Sequence, residues 1–336
     1  MFKNKTILIT GGTGSFGQKF INICLNRFNP KKIIIYSRDE LKQFEMGNKL
    51  RTSKNFKKLR FFIGDVRDKG RLSLAMEEVD YVIHAAALKQ VPAAEYNPQE
   101  AIKTNIIGAQ NVIESALACG VRKVIALSTD KAAAPINLYG ATKLVSDKLF
   151  ISANNIRGNK NIKFSVVRYG NVMFSRGSVT PFFMESKKKG FIPITDKEMT
   201  RFSITLDEGV NFVLKAMKVM IGGELFVPKI PSIKIINLAK AVDSKAKIKI
   251  IGIRPGEKIH EEMITETDGL SAYEFKDYYV ILQDFKFTSR ENKDLATQIK
   301  KLGGKKCKRG FSYNSKNNKK FLSIFEIKKI LNKNII

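Results

Sequence analysis

The sequence predicts an α/β protein, with a doubly wound parallel sheet followed by a smaller C-terminal substrate-binding lobe. Three observations predict it. Short apolar runs alternate with helix-length segments through the first half of the chain. A glycine string follows the first of those runs at once. Beyond Asn171 the alternation loosens, and Pro181, Pro193, Pro228, Pro231 and Pro255 cut the chain into short pieces. Continuous apolar strands separated by helices need cover on both faces, which is the pattern of a parallel sheet.

The elements follow in order. Lys5–Thr10 reads as a first strand and runs through glycines into a helix from Ser15 to about Arg27. Lys32–Tyr36, Leu59–Ile63, Tyr81–His84, Lys123–Ser128 and Lys163–Arg168 read as five further strands. Pro98–Cys119 and Tyr139–Asn154 supply helices between them. The expected division is 1–170 for nucleotide binding and catalysis and 171–285 mainly for substrate, with some segments of it free to return to the sheet. A basic extension, 286–336, follows.

Composition narrows the function. The 336 residues carry 60 Lys and Arg against 31 Asp and Glu, a formal +29. Such a balance first suggests a polyanion, and equally favours capture of a small anionic substrate. The last 51 residues hold 15 Lys and Arg against 3 Asp and Glu, yet also Phe311, Tyr313, Leu322, Ile327 and Leu331. That is too apolar for a plain disordered tail. No nucleic-acid-binding motif accompanies the charge, so no nucleic-acid partner is expected. No run approaches the ~18 apolar residues of a membrane span. Cys24, Cys119 and Cys307 are scattered, which fits a reducing cytoplasm. With only His84 and His260, no metal site is expected. His84 closes the fourth strand, and His260 reads as structural or as a subunit contact.

The string Gly11-Gly12-Thr13-Gly14-Ser15-Phe16-Gly17 lies between a strand and a helix. Glycines there allow a tight turn and a close approach of backbone N–H groups to a pyrophosphate, at a helix N-terminus that favours negative charge. This makes the sheet Rossmann-type and implies a dinucleotide. The end of the second strand reads Ser37-Arg38-Asp39-Glu40-Leu41-Lys42. An acid there suits the ribose 2′-hydroxyl of NAD, and Arg suits a 2′-phosphate. Ser37, Arg38 and Lys42 favour NADP. Asp65 and Val66 are expected to border the adenine, and Ala85 and Ala86 to let the cofactor lie against the backbone.

Tyr139 and Lys143 stand four apart, on one face of the predicted helix. A nearby ammonium lowers a phenol pKa and makes Tyr a usable base toward a sugar hydroxyl, with both residues also touching the cofactor.

With the glycine string, this pair resembles the extended short-chain dehydrogenase/reductase family. Longer motifs narrow the likeness: Ser128-Thr129-Asp130-Lys131-Ala132, Pro135–Tyr139, His84–Pro92, Arg168–Val172 and Gly252–Glu261. They resemble the inverting UDP-N-acetylglucosamine 4,6-dehydratases that open pseudaminic acid biosynthesis. The resemblance covers about residues 2–285 and reaches Gly310–Asn314. It implies a cytoplasmic homo-oligomer, a dimer or hexamer, holding and recycling its NADP.

The resemblance also implies roles. Tyr139 takes the C4 hydroxyl proton, with Thr129 or Ser128 bonded to the same oxygen. Lys131, which must be neutral to do so, takes H5. Asp130 protonates the departing C6 hydroxyl. Lys89 and Arg254 face the diphosphate, Lys89 also reaching the cofactor. Leu127, Ser128, Asn171, Ser178, Val179, Thr180, Pro181, Met199 and Glu257 complete the substrate set. Two positions depart from the family. Phe174 stands where a small residue, often Gly, is usual, and its bulk bears on the pocket. Ser203 stands where relatives carry an aromatic. The rival readings are a retaining 4,6-dehydratase, which would carry Met for Tyr139, a nucleotide-sugar 4-epimerase, and a non-enzymatic dinucleotide- or nucleic-acid-binding protein.

Overall fold

The structure is a computed structural model that describes residues 1–282 and 289–334. Six strands, β1 (Thr6–Thr10), β2 (Lys32–Ser37), β3 (Leu59–Ile63), β4 (Tyr81–His84), β5 (Lys123–Thr129) and β6 (Lys163–Tyr169), form its centre in the order β3-β2-β1-β4-β5-β6, all parallel. Strand Glu224–Pro228 continues the sheet in parallel beside β6. Tyr278–Leu282, Ala272–Glu274 and Lys305–Lys306 then add three antiparallel strands. β1 and β4 are buried at every residue, because helices cover both faces. The strand order reverses between β1 and β4. At that switch point a crevice opens beyond the strand C-termini.

The expected Pro98–Cys119 helix is interrupted. Pro98–Ile102 gives way to a π-turn over Lys103–Ile107 before Gly108–Ala118 resumes. Asn105 accounts for the interruption. Its side chain bonds both the N–H and the carbonyl of Leu88, at 2.8 and 2.9 Å, and the Thr142 hydroxyl at 3.0 Å. It thereby holds the loop after β4 in place.

The smaller lobe has its own core of Phe183, Ile192, Ile194, Met199, Ile233 and Leu238. The boundary drawn at 285/286 lies outside the described residues. The described part of the basic segment is no appendage, and this corrects the expected division. Lys305–Lys306 joins the main sheet, Tyr313–Asn314 pairs with strand Glu262–Ile264, and Leu322, Ile327 and Leu331 enter the small-lobe core. Each such side chain contributes about 1.5–3 kcal/mol when fully buried.

Candidate active site

A cavity of about 1100 Å³ runs from the glycine turn to the small lobe. At its nucleotide end the backbone does the shaping. Gly11 has φ +65°, and a Cβ there would lie 2.9 Å from the Ala86 nitrogen. A Cβ on Gly17 would lie 2.4 Å from the Gly12 carbonyl oxygen. The helix Ser15–Arg27 starts at Gly14 with no side-chain cap, so the turn leaves its N-terminus to a ligand. Thr10 organises the opposite wall. Its Oγ1 accepts from the N–H groups of Ala85 and Ala86 at 3.2 Å each and pairs with His84 Nδ1 at 2.9 Å.

Thr13, Ser15, Phe16, Ser37, Arg38, Asp39, Lys42, Asp65 and Val66 line this end. Glu40 does not, because it opens the helix Glu40–Leu50 that Asp39 caps. Asp39 also pairs with Lys42, which holds its carboxyl below the ordinary range. Among the described residues Arg38 has one ion-pair contact, with Asp65 at 3.8 Å, and its side chain is 55% exposed. It is the side chain of the expected grip with most charge to spare.

The sugar end is built from side chains. β5 runs straight into a 3₁₀ turn, Asp130–Ala132. Helix Leu138–Ser152 closes on that turn because residue 140 is glycine: a Cβ there would lie 2.2 Å from the Lys131 carbonyl oxygen. The closure brings the Tyr139 phenol to the Thr129 hydroxyl, which itself donates to Asp130 Oδ1 at 2.9 Å. Ser128 is turned elsewhere. Its hydroxyl donates to buried Asp147 at 2.7 Å, beside Arg168 at 3.2 Å. Thr129, not Ser128, therefore stands at the phenol.

Lys131 bridges two carboxylates, with Nζ 3.1 Å from both Asp130 Oδ1 and Glu261 Oε1. Burial opposes its charge, but the two carboxylates outweigh burial and raise its pKa. At rest Lys131 is therefore an ammonium, a balance the sequence left open, and it must shed a proton before it can act as a base. Asp130 is the reverse: burial lifts its carboxyl above the usual range despite Lys131, as an acid requires. Burial likewise pushes Tyr139 up to about 12. The cation that opposes this shift is Lys131; burial instead lowers the pKa of Lys143, against Asp147 one turn on.

Toward the small lobe, Leu127, Lys89, Asn171, Ser178, Val179, Arg254 and Glu257 line the cavity. Asn171 Oδ1 and Ser178 Oγ are buried without a partner, as atoms awaiting a ligand would be. Lys89 Nζ donates to the Arg176 carbonyl at 2.9 Å. Thr180, Pro181 and Met199 lie off the cavity. Thr180 is buried beneath its helix, Pro181 is exposed, and Met199 sits in the small-lobe core. Phe174 lies off the cavity too. It packs against that core with φ +61°, a left-handed backbone that explains the usual glycine there. Ser203 is buried behind Asn171, its pairing partner across the strands. His260 bonds the Thr200 hydroxyl at 2.8 Å.

Two residues outside the expected set complete the site. Glu261 is 2% exposed and lines the cavity, and Arg201 lies between Glu261 and Glu257 at 3.8 and 3.5 Å. The signal was present in the Gly252–Glu261 motif, but only the fold brings its end to Lys131, 130 positions earlier.

Fold and site define a Rossmann-type enzyme of the extended short-chain dehydrogenase/reductase class. The polysaccharide biosynthesis protein family matches residues 7–283, and the chain belongs to that family. It is 57% identical over 334 residues to the UDP-N-acetylglucosamine 4,6-dehydratase (inverting) of Campylobacter jejuni subsp. jejuni serotype O:23/36, covering 99% of this chain and 98% of that one. It is 46% identical to the UDP-glucose 4-epimerase of Rickettsia canadensis, covering 84% of each. Among solved structures, Pen from Bacillus thuringiensis superposes with a TM-score of 0.88 at 37% identity, covering 99% of both chains. The dTDP-glucose 4,6-dehydratase DesIV from Streptomyces venezuelae shares the fold, with a TM-score of 0.67 at 20% identity and coverage of 76% of this chain and 86% of that one. Among the described residues, no helix is long and apolar enough to cross a membrane.

Proposed function

We propose that this protein is a UDP-N-acetylglucosamine 4,6-dehydratase that inverts C5, giving UDP-2-acetamido-2,6-dideoxy-β-L-arabino-hex-4-ulose for pseudaminic acid or a related surface glycan. One observation carries the reading: an acid, a lysine and a second carboxylate lie beside Tyr139. A 4-epimerase needs a base at O4 alone. A dehydratase also needs an acid at O6 and a base at C5. The 57% identical relative supports the same substrate.

The uncapped helix, the Gly11 and Gly17 contacts and the alanine wall fit a nicotinamide dinucleotide, and the spare charge of Arg38 favours NADP. When bound, that cofactor supplies the hydride acceptor for C4 and the donor for C6. The chain does the rest. Tyr139, a phenol at rest that must first give up its own proton, takes the C4 hydroxyl proton as phenolate, with Thr129 holding the same oxygen. Asp130 gives its proton to the C6 hydroxyl as water departs, and Lys131 takes H5. Each role contributes ~10²–10⁴ in rate. Lys89 and Arg254 face the diphosphate, and Asn171, Ser178 and Glu257 face the rest of the nucleotide sugar. Exposed Tyr96, Ile102 and Val145 on neighbouring helices support a homo-oligomer, and three free cysteines fit a cytoplasmic setting.

The Rickettsia relative's name favours a second reading, a 4-epimerase. One experiment separates the two. Purified protein is mixed with UDP-N-acetylglucosamine in D₂O, without added cofactor, and followed by NMR. The expected product is a 4-keto-6-deoxy sugar with deuterium at an inverted C5. An unchanged C5 means a retaining dehydratase, and a C4 epimer with intact C6 means an epimerase.

A further inference from the structure

We propose that Glu261 is the positioning residue of Lys131 and the acceptor of the proton Lys131 must shed before it acts as a base. The inference rests on the reading of Lys131 as the C5 base. That reading demands a free amine, yet Lys131 is clamped as an ammonium between Asp130 and Glu261. A nearby acceptor resolves the conflict.

Glu261 is the carboxylate within reach on the side of Lys131 away from Asp130. Burial raises its carboxyl, but Lys131 and Arg201 outweigh burial and hold it below the usual range at rest, so the transfer runs uphill. Its main chain is fixed: its N–H donates to Ser315 Oγ at 2.9 Å, and its carbonyl accepts from the Ser315 N–H at 2.7 Å. Ser315 is itself fully buried and pairs with the Thr200 hydroxyl at 2.7 Å. The basic C-terminal segment thus holds a residue of the site in place. Glu261 Oε1 faces Lys131, while Oε2 is buried without a partner. So is Asp130 Oδ2. A structural ion pair would be expected to satisfy these oxygens, because an unmet buried acceptor costs about 1–3 kcal/mol. The charged and titratable groups around Lys131 are Asp130, Glu261, Arg201 and the Tyr139 phenol, and Lys258 acts on Glu261 from beyond.

The protons balance. An N–H bond of the Lys131 ammonium breaks, and an O–H bond forms on the Glu261 carboxylate. The freed amine takes H5, the C5 electrons form the C5–C6 double bond, and the C6–O bond breaks as Asp130 gives up its proton. Lys131 is then an ammonium between Glu261 carboxylic acid and Asp130 carboxylate. Lys131 passes a proton to Asp130 and recovers one from Glu261. The three groups return to their starting state, and the departing water carries the equivalent of H5.

The test uses the full-length enzyme with its own cofactor and UDP-N-acetylglucosamine. Two rates are compared: appearance of reduced-nicotinamide absorbance, which reports C4 oxidation, and H5 exchange with D₂O. In Glu261→Gln the ratio of exchange to oxidation is expected to fall about 10²-fold. Loss of an anionic neighbour makes the ammonium easier to deprotonate, so the rising limb of the exchange pH profile moves to lower pH. The limb moves for any role of Glu261, because its charge acts on Lys131 directly. A purely structural role would lower both rates together and leave their ratio unchanged, and that result overturns the proposal. Should the glutamine variant fail to fold, Glu261→Asp carries the test. It keeps the charge and withdraws it, so the limb holds its position while the ratio falls about tenfold; an unchanged ratio overturns the proposal. Lys131→Ala in the same assay tests the underlying reading. If it exchanges H5 at the parental rate, Lys131 is not the base, whatever Glu261 does.

Discussion

The nucleotide end and the sugar end of the cleft are built in opposite ways. The nucleotide end is a backbone surface: seven consecutive residues, Gly11 to Gly17, form the turn after β1 and the first residues of its helix. Its specificity comes from what those residues lack, since a Cβ at Gly11 or Gly17 would meet main-chain atoms. The sugar end is a meeting of charged side chains. Asp130, Lys131, Arg201, Glu257 and Glu261 come from three separate stretches. A backbone surface holds its shape with or without a ligand. A charge cluster depends on who is protonated, so chemistry belongs there and binding belongs to the other end.

That contrast can be broken in four places. Tyr139→Phe removes a reacting proton carrier and its contact with Thr129, so kcat should fall ~10²–10⁴-fold while the thermal midpoint moves little. A strongly shifted midpoint would show that the sugar end also holds the fold together. Gly17→Ala strikes the backbone end. Steric overlap with the Gly12 carbonyl should cost about 1–3 kcal/mol in denaturant unfolding and release the cofactor.

His84 probes the wall between the ends. It is 1% exposed, and burial, with Lys143 adding to it, presses its pKa down to about 3. Unfolded, it titrates near 6.5. Between those values the unfolded chain binds the extra proton, so stability is full above pH 6.5 and declines as pH falls. Relative to His84→Gln, the parent should lose about 1.4 kcal/mol per pH unit below about pH 6. Parallel stability curves would mean that His84 is protonated in the folded state. The smallest effect is at the cleft rim, where Arg38→Ala should cut the preference for NADP over NAD about tenfold in competitive binding. No change would leave Lys42 as the phosphate ligand despite its pairing with Asp39.

Much was legible before any coordinates. The six central strands lie where apolar runs placed them, within a residue at their ends, because strands covered on both faces, as β1 and β4 are, keep mostly apolar side chains along their length. Tyr139, Lys131 and Asp130 were legible from motifs. The π-turn at Asn105 was not, because its cause is the backbone of Leu88, seventeen residues earlier. Met199 and Thr180 fell off the cavity for a similar reason: which face of a short element looks inward depends on what packs behind it. Phe174 reads as an obstruction by its volume alone, yet its backbone angle turns it into the small-lobe core.

The sequence by itself determined the parallel sheet and the dinucleotide turn, and it named the groups proposed to react. These rest on periodicity and on contiguous motifs, which chain connectivity preserves. Tertiary structure decided the protonation of those groups and the company they keep. It placed Glu261 against Lys131, gave Ser128 to Asp147, and bound the basic tail into both lobes through Ser315, Leu322 and Ile327. The physical reason is that a charge in a low-dielectric site is governed by neighbours within a few ångströms. Neighbours that close are chosen by packing, across distances in sequence that no local pattern records.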